Sequence, residues 1–114
     1  MTTRHTVNLR MFQGDDLRVI CTVRDQTGQL VDISNAQSIR WQAAPRVNDA
    51  PVIEKSLGNG LSISSPTGFT FDITSAESAP LSGQYYHEAE VVTDQGLTYT
   101  ALFGTLIIDR ALID

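Results

Sequence analysis

Hydrophobic residues recur at every second position in much of this chain, and this spacing constrains the fold more than any other feature. In residues 17–24, the side chains of Leu17, Val19, Cys21 and Val23 fall on one face. Alternation of this kind indicates a strand that buries one face of a sheet. No segment of helix length shows the 3.6-residue spacing of an amphipathic helix. The chain is therefore predicted to be all-β.

Several other segments show the same alternation and are separated by turn residues. Strands are expected at 7–11, 17–24, 39–43, 52–57, 61–63, 69–73, 84–92 and 97–108, with a short extended piece at 29–33. The only helical segment expected is a single turn near 75–79, which Thr74 or Ser75 could cap and which ends before Pro80. Seven to nine short strands with turns every 8 to 12 residues predict an antiparallel β-sandwich.

Four single residues carry more specific expectations. Trp41 is expected to point inward, and Lys55 suggests that strand 52–57 lies at an exposed sheet edge. Gly104 interrupts the last strand and indicates either a bulge or the close approach of another backbone. Cys21 is the sole cysteine. It is expected to be a small buried hydrophobic residue rather than a reactive thiol.

Length and composition limit the organisation of the chain and its partners. With 114 residues, 41% of them hydrophobic, the sequence fits one globular domain over 1–114, with 1–6 and 109–114 as extended ends. No long apolar stretch and no secretory signal peptide are visible, so we expect a soluble protein without membrane contact. A net charge of −5 disfavours nucleic acid as a partner.

The residues that could carry catalysis or bind a metal are few. His5 lies near the amino end, and His87 lies in a strand, where a hydrogen-bonded, partly buried role is expected. Asp residues lie in turns or at strand ends at Asp15, Asp16, Asp25, Asp32, Asp94 and Asp109. These carboxylates could converge on a calcium ion, but bonds from Asp side chains to turn backbone explain them better. No catalytic residue, cofactor or metal is predicted, and the protein is not expected to be an enzyme.

Arginine, tyrosine and glutamate on outward strand faces are the remaining chemical signal. Arg18 and Arg24 lie on one predicted outward face. Tyr86, Glu88 and Glu90 lie on another. Arg and Tyr are typical anchors of protein interfaces, and mixed solvated strand faces are equally common. These five residues are the candidate interface residues on the strands.

The order of the motifs resembles that of a known family. A turn at 13–15 precedes a strand, a turn at 25–28 follows it, and Trp41 lies on the next strand. The segment 73–85, an acidic strand and the turn at 94–96 come later. Over nearly the whole chain, this layout resembles the immunoglobulin-like domains of tailed-bacteriophage virion proteins, in particular the amino-terminal domain of baseplate upper proteins and their small relatives.

The resemblance implies a fold and a role. The fold would be an immunoglobulin-like β-sandwich in which Tyr85 forms a tyrosine corner, its hydroxyl bonding to nearby backbone. The role would be that of a non-enzymatic structural protein of the virion, made in the bacterial host cytoplasm and placed on capsid, neck, tail or baseplate. Baseplate upper proteins continue past this domain, whereas this sequence ends at Asp114, which favours a small accessory or decoration protein.

The resemblance also implies partners, which would be other virion proteins and further copies of the chain in a homo-oligomer or symmetric array. Residues 1–12 and 109–114 are candidate docking segments, with Leu112 and Ile113 as apolar contacts. Alternatively, the carboxyl end packs on its own sandwich. A different hypothesis is an adhesive module that binds surface carbohydrate through Tyr86 and Tyr99.

Overall fold

The computed structural model describes residues 6–113, which form eight strands and one short helix. The strands are β1 (Leu9–Phe12), β2 (Leu17–Thr22), β3 (Ser38–Ala44), β4 (Ile53–Leu57), β5 (Gly60–Ser65), β6 (Gly68–Ile73), β7 (Gly83–Val92) and β8 (Thr98–Asp109). The helix α1 (Ser75–Ser78) lies between β6 and β7. The predicted all-β class is therefore confirmed, with a strand count inside the expected range.

The strands are hydrogen-bonded in the order β1-β8-β7-β3-β4-β5-β6-β2. Neighbours pair antiparallel except β1 with β8 and β4 with β5, which are parallel. The sheet folds over at the short β4–β5 pairing. This brings Trp41 of β3 onto Phe71 of β6, and the two rings stack with centroids 4.4 Å apart. Strands β1, β8, β7, β3 and β4 thus form one layer, and β5, β6 and β2 form the other.

This arrangement is that of an immunoglobulin-like sandwich, as expected. Three strands equivalent to B, E and D form one layer, and strands equivalent to C, F and G lie in the layer opposite. Tyr85 supplies the predicted tyrosine corner, since its hydroxyl donates to the Ser82 carbonyl (3.0 Å) and accepts from the Ser82 amide (3.2 Å). The corner fixes the entry into β7.

The core lies between the layers and takes the inward side chains of both. It includes Val19, Cys21, Ile39, Trp41, Phe69, Phe71, Ile73, Val91, Leu102, Leu106 and Ile108. The inward position predicted for Trp41 is confirmed. Cys21 is also buried, and burial raises the pKa of its thiol to about 12. The thiol is therefore protonated at neutral pH and behaves as a hydrophobic side chain.

Helix α1 begins with Thr74 as its cap, one of the two residues that the sequence offered. The Thr74 hydroxyl accepts from the Glu77 amide (3.2 Å), and the Glu77 carboxylate accepts from the Thr74 amide (2.9 Å), which forms a capping box. Buried Ser78 accepts from the Gly14 amide (3.0 Å) and donates to the Asp15 carbonyl (2.9 Å). These bonds attach the helix to the turn between β1 and β2.

The predicted exposed edge at Lys55 is wrong. Strand β4 lies between β3 and β5, and Lys55 is buried. Its Nζ donates to both carboxylate oxygens of Glu77 at 2.7 Å. The stem of Lys55 passes over Gly60, where a Cβ atom would come within 2.7 Å of Lys55 Cδ. A single lysine in a strand sequence is typical of an edge strand. Here the Glu77 carboxylate, which is distant in sequence, compensates the charge of Lys55 and allows it to be buried.

Residues 29–33 do not form a strand, and only a single bridge joins Arg24 to Leu30. The Asp25 carboxylate accepts from the amides of Thr27 (2.8 Å) and Gln29 (3.1 Å) and closes the turn before this segment. The chain from 25 to 33 is thus a loop held by side-chain bonds to the backbone and by backbone bonds, such as those from the Val31 amide to the Val23 carbonyl (3.0 Å) and from the Ile33 amide to the Pro66 carbonyl (2.7 Å).

Candidate functional site

Arg18 and Arg24 lie on the outer side of the layer that contains β2. The Arg18 guanidinium donates to both carboxylate oxygens of Asp72 on β6 (2.8 and 3.1 Å). Arg24 Nη1 donates to the Gly28 carbonyl (2.9 Å). Between them, Ile20 is 72% exposed. This part of β2 is therefore an outward surface on which one arginine is already neutralised by an ion pair.

Tyr86, Glu88 and Glu90 lie on the outer side of the other layer. The Tyr86 hydroxyl donates to Glu88 Oε1 (2.8 Å), and Arg40 Nη2 donates to Glu90 Oε1 (3.0 Å). Both groups of residues thus point outward as predicted, but they lie on opposite sides of the sandwich. The structure does not bring the five strand residues together into one site.

The apolar residues of the carboxyl-terminal segment are exposed. Leu112 is 99% exposed and Ile113 is 85% exposed. The segment leaves the sandwich at Asp109, whose carboxylate accepts from the Arg10 guanidinium (2.8 and 3.0 Å). In the described residues, the alternative that Leu112 and Ile113 pack on their own sandwich is not observed. The predicted docking segments 1–12 and 109–114 also include 1–5 and 114, which lie outside the described residues.

A cleft of about 310 Å³ opens between the β2–β3 and β7–β8 loops. We name it the loop-end cleft. Asp32, Asn35, Asp94 and Tyr99 are among the residues that line it. Gln37 Nε2 donates to the Asp94 carbonyl (3.3 Å) and joins the two loops. The sequence placed Asp32 and Asp94 in turns or at strand ends, and only the pairing of the strands shows that they lie at one end of the molecule.

His87 is fully buried rather than partly buried. Trp41 Nε1 donates to His87 Nδ1 (3.1 Å), and His87 Nε2 lies 2.6 Å from the Val7 carbonyl. Because Nδ1 accepts a bond, the ring is assigned as neutral, with Nε2–H donating to Val7. Burial lowers the pKa of His87, and the bond to Val7 offsets this only in part. The imidazole is a structural group with both nitrogens engaged.

Gly104 lies directly opposite His87 in the β7–β8 pairing. A Cβ atom at Gly104 would collide with the Val7 carbonyl and come within 2.9 Å of Asn8 Oδ1. Of the two alternatives for this glycine, the close backbone approach is confirmed. The register shift of this strand pair lies at Ala89 and Glu90 instead.

Residues 6–113 offer neither a metal-binding cluster nor a membrane-spanning helix. Within residues 6–113, no three His, Cys, Asp or Glu side chains are grouped so that they could hold a metal ion. The Asp32 carboxylate accepts from the Ser34 amide (2.9 Å), which lowers the pKa of Asp32. Bonds from the Thr27 hydroxyl and the Gln29 amide lower the pKa of Asp25. In the same part of the chain, no helix has the length and hydrophobicity needed to cross a bilayer.

Comparisons with protein-family models and with curated proteins gave no match. Among solved structures, the chain is similar to the fibronectin(III)-like modules of Clostridium thermocellum CbhA, with 7% identity, a TM-score of 0.45, and 96% of this chain and 92% of that chain covered. It is also similar to murine CRIg, with 12% identity, a TM-score of 0.44, and coverage of 97% and 95%. The immunoglobulin-like class itself follows from the strand order and the shared core described above.

Proposed function

We propose that the chain is a non-enzymatic structural protein of a tailed-phage virion, an accessory, decoration or connector module that docks on other virion proteins. The exposure of Leu112 and Ile113 is the observation that carries this proposal. Burying one such side chain against a partner contributes about 1.5–3 kcal/mol. Two adjacent apolar side chains on a projecting segment therefore suit a docking contact, and the resemblance in motif order points to the virion as its setting.

The base of this segment is held firmly, which favours a defined docking geometry. The Gln13 amide donates to the Asp109 carbonyl (2.8 Å), next to the Arg10–Asp109 ion pair. Residues 110–113 continue from this anchored point. An extended segment that leaves a rigid strand can add to an open sheet edge of a neighbouring protein. Capsid, neck, tail and baseplate proteins are the partners proposed.

Quantitative mass spectrometry of purified phage particles tests the proposal. We expect the chain in the particles. A copy number close to that of the major capsid protein would indicate decoration of the head, and a few copies would indicate neck, tail or baseplate. Absence of the chain from particles would contradict the virion role.

A paired variant tests the docking segment itself. Leu112→Ser combined with Ile113→Ser should reduce incorporation into particles and leave the melting temperature unchanged, because neither side chain packs on the sandwich. Leu97→Ser, at a 53% exposed loop residue, is the matched control and should be incorporated normally. Normal incorporation of the double variant would exclude the segment as the docking contact.

The loop-end cleft favours a second candidate function, carbohydrate binding by an adhesive module. Carboxylate and amide groups of Asp32, Asn35 and Asp94 can bond sugar hydroxyls, and Tyr99 offers an aromatic surface. Binding on a glycan array that is lost in Tyr99→Ala and kept in Tyr86→Ala would support this function. No binding by the unmodified protein would exclude it for the glycans tested.

A further inference from the structure

Strand β2 ends the sheet order, so one of its two edges carries no neighbouring strand among the described residues. On its other edge, β2 pairs with β6, and the Val23 amide continues this pairing by donating to the Thr67 carbonyl (2.8 Å). Backbone groups of alternate residues in an antiparallel strand point to opposite edges. The amides and carbonyls of Arg18, Ile20 and Thr22 therefore point toward the open edge.

We propose that two copies of the chain join through this edge, with their β2 strands antiparallel about a two-fold axis at Ile20. This interaction goes beyond the proposed docking on virion proteins. In this register, Ile20 lies opposite Ile20 of the second copy, and Arg18 lies opposite Thr22. Leu17 then lies opposite Val23. All residues that point to the open edge take part in the new hydrogen bonds.

The outward side chains match in this register. Ile20 is 72% exposed in the single chain and would pack against Ile20 of the second copy across the axis. Beyond the ends of the strand, Asp16, whose carboxylate also accepts from the Ser75 amide (2.6 Å), would lie opposite Arg24, which places opposite charges near each other on both sides of the axis. Charged residues normally keep open edges apart. Here Arg18 is neutralised by the ion pair with Asp72 in its own chain.

The inward side chains match as well. Leu17 opposite Val23 and Val19 opposite Cys21 place only apolar groups against apolar groups. Val19, Cys21 and Val23 are buried in the single chain, and Leu17 is partly buried against the core. The paired strands would therefore join the two hydrophobic cores along one continuous sheet.

Other registers are less favourable. A shift by one residue would turn the core side chains of one copy to the outer face. An axis at Cys21 would place Arg18 opposite Arg24, and an axis at Val19 would place the carboxylate of Asp15 opposite Val23. Strand β1, at the other end of the sheet order, has four residues against six in β2. Edge pairing at β2 with the axis at Ile20 thus combines the longer edge with the matched side chains.

Sedimentation velocity tests the pairing in solution. The unmodified chain should form a concentration-dependent dimer, and Ile20→Lys should weaken dimerisation at least tenfold, because it places like charges opposite each other at the axis. Ser62→Lys is the control on the outer face of β5, which β6 separates from β2, and should dimerise normally. A monomer at all concentrations, or unchanged dimerisation of Ile20→Lys, would overturn the proposal.

Cysteine cross-linking tests the register. In a Cys21→Ala background, Ile20→Cys should form a disulfide-linked dimer on mild oxidation, because paired residues at the axis have Cα atoms about 5.5 Å apart. Arg18→Cys lies two residues from the axis in each copy and should not cross-link. Equal cross-linking of the two variants would contradict the register. Both assays use the chain alone, so their failure is distinguishable from a failure to enter phage particles.

Discussion

His87 occupies a position where only the neutral imidazole satisfies its neighbours. Trp41 presents a donor to Nδ1, and the Val7 carbonyl accepts from Nε2. A proton on Nδ1 would place two donors against each other inside the core, and a buried charge without a counter-ion is costly. Burial accordingly lowers the pKa of His87 from its ordinary value of 6.5. Folding is therefore coupled to the deprotonation of this residue.

This coupling predicts the direction of the pH dependence. Between the lowered pKa of the folded chain and 6.5, the unfolded chain binds more protons, so the free energy of unfolding falls as the pH drops below 6.5. The slope from one group is at most about 1.4 kcal/mol per pH unit. Urea unfolding between about pH 8 and about pH 5 should show a weaker pH dependence in His87→Gln than in the unmodified chain. Parallel curves for the two proteins would contradict this.

The Lys55–Glu77 ion pair is unequal in its exposure. The Lys55 side chain is 9% exposed, and that of Glu77 is 32% exposed. Burial raises the pKa of Glu77, but bonds from Lys55 and Thr74 outweigh this effect and hold the pKa below its ordinary value. Removing one partner leaves the other charge without compensation, and the cost depends on how well water can reach that charge.

The two single substitutions should therefore differ. Glu77→Gln keeps the capping side chain but leaves the buried Lys55 ammonium unpaired, at a cost of about 3 kcal/mol. Lys55→Met leaves the Glu77 carboxylate unpaired, but this carboxylate stays in contact with water and keeps its bonds to Thr74, so the expected cost is about 1 kcal/mol. Chemical denaturation of both variants checks the order. The double variant should be more stable than Glu77→Gln alone, and additive losses would contradict the pairing.

Gly104 shows how one residue controls the attachment of the first segment to the sheet. Because Gly104 has no side chain, the Val7 carbonyl can reach His87. The Val7 amide then donates to the Phe103 carbonyl (2.8 Å), and Asn8 Oδ1 accepts from the Thr105 amide (3.1 Å). Gly104→Ala should displace this segment and lower the free energy of unfolding by about 1–3 kcal/mol. Hydrogen exchange of the Val7 amide should become much faster.

A second glycine separates this effect from a general loss of stability. Gly96 has a φ of 82°, and a Cβ atom there would meet no other atom within 4 Å. Gly96→Ala should cost about 1–2 kcal/mol through its left-handed backbone, while exchange at Val7 follows only the global change. Unchanged local protection of Val7 in Gly104→Ala would contradict the role given to Gly104.

The strands and their faces could be predicted because each depends on local alternation. Val19 and Cys21 are buried while Ile20 is exposed, as the period of two requires. The helix cap at Thr74 could also be predicted, since a capping box lies within four consecutive residues. The burial of Lys55 could not be predicted, because its partner Glu77 lies 22 positions away and on another element. Local patterns thus predict elements and faces, and they do not reveal charge compensation between elements.

The sequence likewise predicted which candidate surface residues point outward, and it did not predict which of them lie close together. The sequence placed Arg18 and Tyr86 on outward strand faces, and both are found there. That these faces lie on opposite sides of the sandwich depends on how the sheet folds at the β4–β5 join, which no local pattern encodes. The loop-end cleft likewise combines Asp32 and Asp94, which are far apart in the chain. Long-range strand pairing determines which outward residues can share a partner.

The two layers share one core and should unfold together. Trp41 of the five-stranded layer stacks on Phe71 of the three-stranded layer, and β4 continues into β5 through the turn at Gly58. Neither layer can bury its inward face alone, so urea should cause one transition that is identical by tryptophan fluorescence and far-UV circular dichroism. Phe71→Leu should shift both signals by the same amount, about 1 kcal/mol, because a well-packed aromatic contact is lost while most of the volume is kept. Separate transitions by the two probes would show instead that one layer persists when the stack with Trp41 is broken.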